Sequence, residues 1–180
     1  TGSCYPYRMA SRTLNRVSWL PLLVALGLLA AGPVAAKKPN VEKRTLTHRS
    51  EERTYYLYVP ESVTPETPAP LLILLHGSGR DGTSLIEEWR KLADEEGIVL
   101  VGPDALDSRS WAVPQDGPRL LRDVVDAVAA EQPIDPRRLY LFGHSAGANF
   151  SLPMAQSQSK YFAAAAAHAG AFRQPGEDDY

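Results

Sequence analysis

The pentapeptide Gly143-His144-Ser145-Ala146-Gly147 is a G-x-S-x-G sequence, with an apolar strand pattern directly before it and a helical pattern directly after. This spacing predicts a strained strand-to-helix turn that lifts the Ser145 hydroxyl clear of a sheet, where it can act as a nucleophile in acyl transfer. Glycines two places either side are required because strand and helix backbones pass too close there for a Cβ. The helix that follows favours negative charge at its N-terminus. Attack on an acyl carbon creates an oxyanion, which needs backbone N–H groups already aimed at it. One donor in such a turn is the residue after the nucleophile, Ala146. The second is expected from His76-Gly77-Ser78-Gly79, a loop after an earlier buried strand. Ser78 is the chosen donor, with Gly77 and Gly79 as neighbouring alternatives.

The histidines divide by position. The base in this arrangement follows the serine in the chain, so His76 is expected to brace its loop instead. His144, inside the turn, is aimed at neighbours. His168 comes only 23 residues after Ser145, too soon for an intervening strand and acid. His48 is expected at the surface. The histidines are too scattered for a metal site, and His-Gly-Ser-Gly lacks the Lys-Ser/Thr ending of a phosphate loop. The expectation is therefore no metal and no cofactor.

Placing these residues requires alternating strands and helices. Thr54–Val59 alternates as a strand, and Leu71–Leu75 is a solid apolar run suited to a parallel strand covered on both faces. Ser84 with Glu87 has the spacing of a capping box for a helix ending at Gly97. Ile98–Val101 is the next strand, followed by an irregular Asp104–Gln115 segment whose Trp111 is expected to shape a substrate pocket. Asp116 and Pro118 mark a second helix, with Leu120, Leu121, Val124, Val125 and Val128 on one face. Leu139–Phe142 leads into the serine turn, and Pro153 is expected to kink or end the helix beyond it. Ala163–His168 has helical propensity, but strand–helix alternation favours strand. The pattern predicts an α/β fold with right-handed crossovers, a mostly parallel sheet and helices on both faces.

Composition agrees with one globular domain: 180 residues, 44% hydrophobic and 22% charged, with a formal charge of -2. No basic run points to nucleic acid. From Met9, Arg12 and Arg16 precede an apolar run, Trp19–Ala31, and small residues at Val34-Ala35-Ala36, the pattern of a secretory signal peptide. Residues 1–36 are thus expected to be upstream sequence plus signal, and 37–180 the folded domain, secreted or periplasmic and not membrane-bound after cleavage. Cleavage removes Cys4, the sole cysteine, and Arg8, Arg12 and Arg16 but no acid, moving the charge from -2 to -5.

Leu71–Gly79, Val101–Ala105, Trp111, Ile134–Arg138 and Leu139–Asn149 together resemble the polyhydroxybutyrate depolymerase/feruloyl esterase group of α/β-hydrolases. The resemblance implies an extracellular serine esterase with a Ser–His–Asp triad, acting on small-molecule or polymeric esters: polyesters, feruloylated polysaccharides or small acyl esters. Such a sheet has about eight strands, whereas six are counted here and 35 residues follow Ser145. The last two strands, with the triad acid and histidine, are expected to be missing. Glu177, Asp178 and Asp179 read as a solvated tail. The chain alone is then expected to be nearly inactive and prone to aggregate at an uncovered edge. Rival readings are a secreted serine peptidase of the same fold, a non-catalytic binding protein and a nonfunctional fragment.

Overall fold

The structure, a computed structural model, describes residues 40–171. The signal-peptide pattern and the acidic C-terminal stretch lie outside the described residues. The elements run β1 (Glu42–His48), β2 (Glu51–Tyr58), β3 (Ala69–Leu75), α1 (Thr83–Glu96), β4 (Val99–Pro103), α2 (Pro118–Ala129), β5 (Ile134–His144), α3 (Ala146–Ser157) and β6 (Ala164–His168). They form one six-stranded sheet in the order β1-β2-β4-β3-β5-β6. The β1–β2 and β2–β4 pairs are antiparallel, and β3–β4, β3–β5 and β5–β6 are parallel.

The chain leaves β3, forms β4 on one side of it, and crosses to form β5 on the other. The ends of β3 and β5 therefore open a crevice where strand order reverses, the usual ligand position in such sheets. Alternation along β3 feeds two cores. Leu71, Ile73 and Leu75 pack with α2 and α3 residues, and Leu72 and Leu74 pack with Leu85, Ile86 and Ala93 of α1. Helices thus cover both faces. Leu120, Leu121, Val124, Val125 and Val128 are all buried, each contributing on the order of 1.5–3 kcal/mol relative to exposure. No helix among the described residues is long and apolar enough to cross a membrane.

Four expectations are corrected in detail. α1 begins at Thr83, and the Ser84–Glu87 capping box does not form. Asp81 caps instead, accepting the Thr83 N–H at 3.0 Å and hydroxyl at 2.5 Å. A Cβ on Gly82 would lie 2.0 Å from the Gly102 carbonyl oxygen, so this close backbone crossing fixes where α1 starts. His48 is 2% exposed, not a surface residue, because its Nδ1 meets an Asp123 carboxylate oxygen of α2 at 2.6 Å. Asp116 is buried rather than opening α2, which starts at Pro118. Pro153 lies exposed inside α3, which continues to Ser157.

β5 also begins earlier than Leu139. Ile134-Asp135-Pro136 joins it, and Arg137, by side chain and then backbone N–H, holds the Asp135 carboxyl down to about 2. Ala164–His168 is a strand despite its alanine propensity, because each residue pairs with one of Tyr140–His144 in β5. It is one of the two edge strands among the described residues, the other being β1, and all five of its residues are exposed.

Candidate active site

Between β5, ending at His144, and α3, starting at Ala146, only Ser145 intervenes, with φ 54° and ψ -113°. A non-glycine residue in such a conformation costs about 1–3 kcal/mol and is held only by its surroundings. Those surroundings are the two glycines. A Cβ on Gly143 would fall 2.2 Å from the Gly147 oxygen, and one on Gly147 would fall 2.1 Å from the Leu75 oxygen. Helix α3 can therefore sit directly against the ends of β5 and β3. The Ser145 N–H donates to His168 O at 2.9 Å, and Ser145 O accepts the first α3 bond from Asn149 at 3.1 Å. Ser145 is half-buried, and no described residue hydrogen-bonds to its hydroxyl.

The 76–79 loop lies beside this turn. A Cβ on Gly77 would stand 3.4 Å from Ser145 Cβ and 3.0 Å from His144 Nδ1, so only glycine passes here without displacing a neighbour. His76 is 1% exposed; its Nδ1–H donates to Gly77 O at 2.9 Å and its Nε2 accepts the Ala105 N–H at 3.1 Å. The two partners fix its tautomer and show a brace, with both ring nitrogens engaged. The Gly79 N–H donates to Ser108 O at 2.8 Å, which removes Gly79 from the oxyanion donors. Ser78 is exposed between these ties and its N–H has no acceptor among the described residues. Ala146, the first residue of α3, likewise has an N–H without an intrahelical partner.

Solved structures share this architecture. An S-formylglutathione hydrolase from Agrobacterium tumefaciens matches with a TM-score of 0.63 and 21% identity, over 73% of this chain and 57% of its own. A CE1 ferulic acid esterase from Anaeromyces mucronatus matches with a TM-score of 0.61 and 20% identity, over 82% of this chain and 65% of its own. The fold is that of the α/β-hydrolases.

Sequence relatives point the same way. A bifunctional acetylxylan esterase/xylanase of Neocallimastix patriciarum is 32% identical over 55% of this chain and 15% of its own length. Poly(3-hydroxyalkanoate) depolymerase C of Paucimonas lemoignei is 26% identical over 90% of this chain and 43% of its own. This chain thus spans less than half the length of either curated relative. The prolyl oligopeptidase family model matches residues 120–175, which include the serine turn.

Trp111 is tied to the 76–79 loop. Its Nε1–H donates to His76 O at 3.0 Å, and its half-buried ring stacks on Phe150 at 5.2 Å and tilts against His76 at 5.0 Å. These contacts support the loop. A cavity of about 160 Å³ is lined by Gly77, Arg80, Ser84, Leu85, Glu88 and His144, between the start of α1 and the serine turn. His144 borders this cavity and stacks on His168 at 5.3 Å, so neither ring is hydrogen-bonded to Ser145. Arg80 and Glu88 carried no motif, and only the three-dimensional approach of α1 to the turn brings them in.

Charge near the loop is arranged by burial and capping. Burial raises the Asp104 carboxyl above its ordinary value, although it accepts the Gly82 N–H at 2.8 Å. The Thr83 hydroxyl lowers that of Asp81. Among the described residues, no group of three or more potential metal ligands comes together.

Proposed function

We propose that the protein is a secreted or periplasmic serine ester hydrolase that works through an acyl-enzyme on polyester, feruloyl or small acyl esters. The observation that carries this reading is the strained Ser145, φ 54°, set against a loop whose Ser78 N–H is uncommitted. In the proposed reaction Ser145 Oγ bonds to the ester carbon as its proton passes to a base. The carbonyl electron pair moves onto oxygen, and the Ala146 and Ser78 N–H groups hold that oxyanion. Collapse expels the alcohol, which takes the proton back. Water then attacks the acyl-serine by the same route, releases the acid and restores the hydroxyl.

No described residue serves as that base, so the proposal assigns the triad histidine and acid to the full-length protein outside residues 40–171. A serine hydroxyl without a base is a poor nucleophile, and the 180-residue chain alone is expected to retain little activity. The ester class draws support from the esterases and depolymerase to which the chain is similar. Export rests on the Met9–Ala36 pattern, with Lys37 the expected first residue of the mature chain. The match to the prolyl oligopeptidase family over residues 120–175 favours a second reading, a serine peptidase of the same fold.

A fluorophosphonate probe applied to the full-length protein tests the nucleophile. Labelling is expected to vanish in Ser145→Ala, and labelling that persists in that variant overturns the assignment. Parallel assays on 4-nitrophenyl esters and on peptide substrates separate the two readings.

A further inference from the structure

A buried ion pair lies outside the reacting region, behind the segment that hydrogen-bonds to the 76–79 loop. Arg53 lies on the inward face of β2, the same face as buried Tyr55 and Leu57, and is 4% exposed. Its guanidinium donates to Gln115 O at 3.0 Å, Asp104 O at 2.9 Å and Asp116 Oδ1 at 2.5 Å. Asp116 is fully buried; its Oδ1 also accepts the Leu106 N–H at 3.0 Å, and its Oδ2 accepts the Ala112 N–H at 2.8 Å. One carboxylate therefore pins both shoulders of the 106–112 segment, and one guanidinium fixes the carbonyls flanking it. Such a planar fork suits several acceptors at once in a way lysine does not.

Between the shoulders stand the residues that reach the 76–79 loop. Ser108 O takes the Gly79 N–H, and Trp111 Nε1–H goes to His76 O. These two bonds straddle Ser78. A buried ion pair is by itself weak evidence for stability, and the backbone it organises suggests a different role. We infer that Arg53 and Asp116 are positioning residues: acting through Ser108 and Trp111, they set where the Ser78 N–H points. The inference rests on the proposed reading of Ser78 as an oxyanion donor.

Steady-state hydrolysis of 4-nitrophenyl acetate by the full-length protein tests it, together with thermal melts. Asp116→Asn places an amide donor against N–H groups that now meet an acceptor, and Arg53→Lys removes the fork. Both are expected to lower kcat about ten- to a hundredfold, the scale of a displaced transition-state donor. KM is expected to stay within about twofold, since the lost interaction belongs to the transition state. Trp111→Phe keeps the ring and deletes one hydrogen bond, so kcat is expected to fall about three- to tenfold. Val128→Ala, in the α2 core, lowers Tm and leaves kcat unchanged.

If Asp116→Asn does not fold, Arg53→Lys and Trp111→Phe decide. Folded variants with wild-type kcat, or with a raised KM alone, overturn the inference while leaving the hydrolase reading standing. Wild-type turnover that survives Ser145→Ala overturns that reading, and the inference falls with it.

Discussion

On one side of Ser145, the 76–79 loop is tied to the 104–117 segment through Ala105 N–H, Ser108 O and Trp111 Nε1–H, with the buried Arg53–Asp116 pair behind. On the other side stands β6, five exposed residues held by the β5 ladder, the Ser145 N–H on His168 O, and the Ala171 N–H on Asn149 Oδ1. The two halves flank one serine, yet only the first is fixed by side chains from several elements. Under the proposed function, the difference separates two tasks of acyl transfer. Stabilising an oxyanion needs rigid dipoles, the role proposed for the Ser78 and Ala146 N–H groups. Moving a proton needs a base, and the β6 side brings only His168, which stacks on His144.

The comparison breaks most severely if the turn shared by both halves is removed. Gly147→Ala puts a methyl 2.1 Å from the Leu75 oxygen, a backbone atom that cannot rotate away. A loss of about 3 kcal/mol or more in urea unfolding is expected, with fluorophosphonate labelling abolished. A variant of wild-type stability would show that α3 is not wedged against β3.

Hydrogen exchange compares the halves directly. In the 180-residue chain, amides of Leu71–Ile73, paired on both sides, are expected to open only with global unfolding. Those of Ala164–His168 are expected to exchange at an opening cost lower by about 2 kcal/mol or more. Equal protection would contradict the asymmetry.

A smaller effect tests the strain at the junction. Ser145→Gly removes a Cβ from a φ of 54° and is expected to stabilise by about 1 kcal/mol, whereas Ser145→Ala, still strained, leaves the urea midpoint unchanged. No difference between the two would argue against a strained elbow.

Much of this arrangement was legible in the sequence because it rests on local spacing. Gly143 and Gly147 announced the turn, Leu71–Leu75 a strand covered on both faces, and the α2 stripe its buried side. What escaped was set by long-range contacts. Asp116 precedes Pro118 in a helix-start pattern, and nothing local says that a guanidinium 63 residues earlier will bury it. A signal existed, since Arg53 occupies an inward position of an alternating strand, where a charge requires a partner. The Trp111 N–H bond to the His76 carbonyl, 35 residues away, was equally invisible to local spacing. His48 was misplaced because its partner, Asp123, lies on a helix 75 residues away.

The smallest expected effect concerns the α1 cap on the well-tied side. Asp81 is held below the usual carboxylate range by the Thr83 hydroxyl. With its folded value depressed, its contribution is present above the unfolded value near 4 and is lost as pH falls through the lower folded one. Asp81→Ala is expected to cost about 1 kcal/mol at pH 7, with the difference from wild type shrinking below pH 4. Urea midpoints measured from pH 2 to 7 check this; a difference independent of pH would exclude the charge as its source.

A crystal structure of the full-length protein carrying a phosphonate adduct tests the central claim most directly. The phosphorus is expected on Ser145 Oγ, with one phosphonyl oxygen about 2.7–3.1 Å from both the Ala146 and Ser78 nitrogens. An adduct on another residue, or an oxygen held by neither amide, would contradict the account.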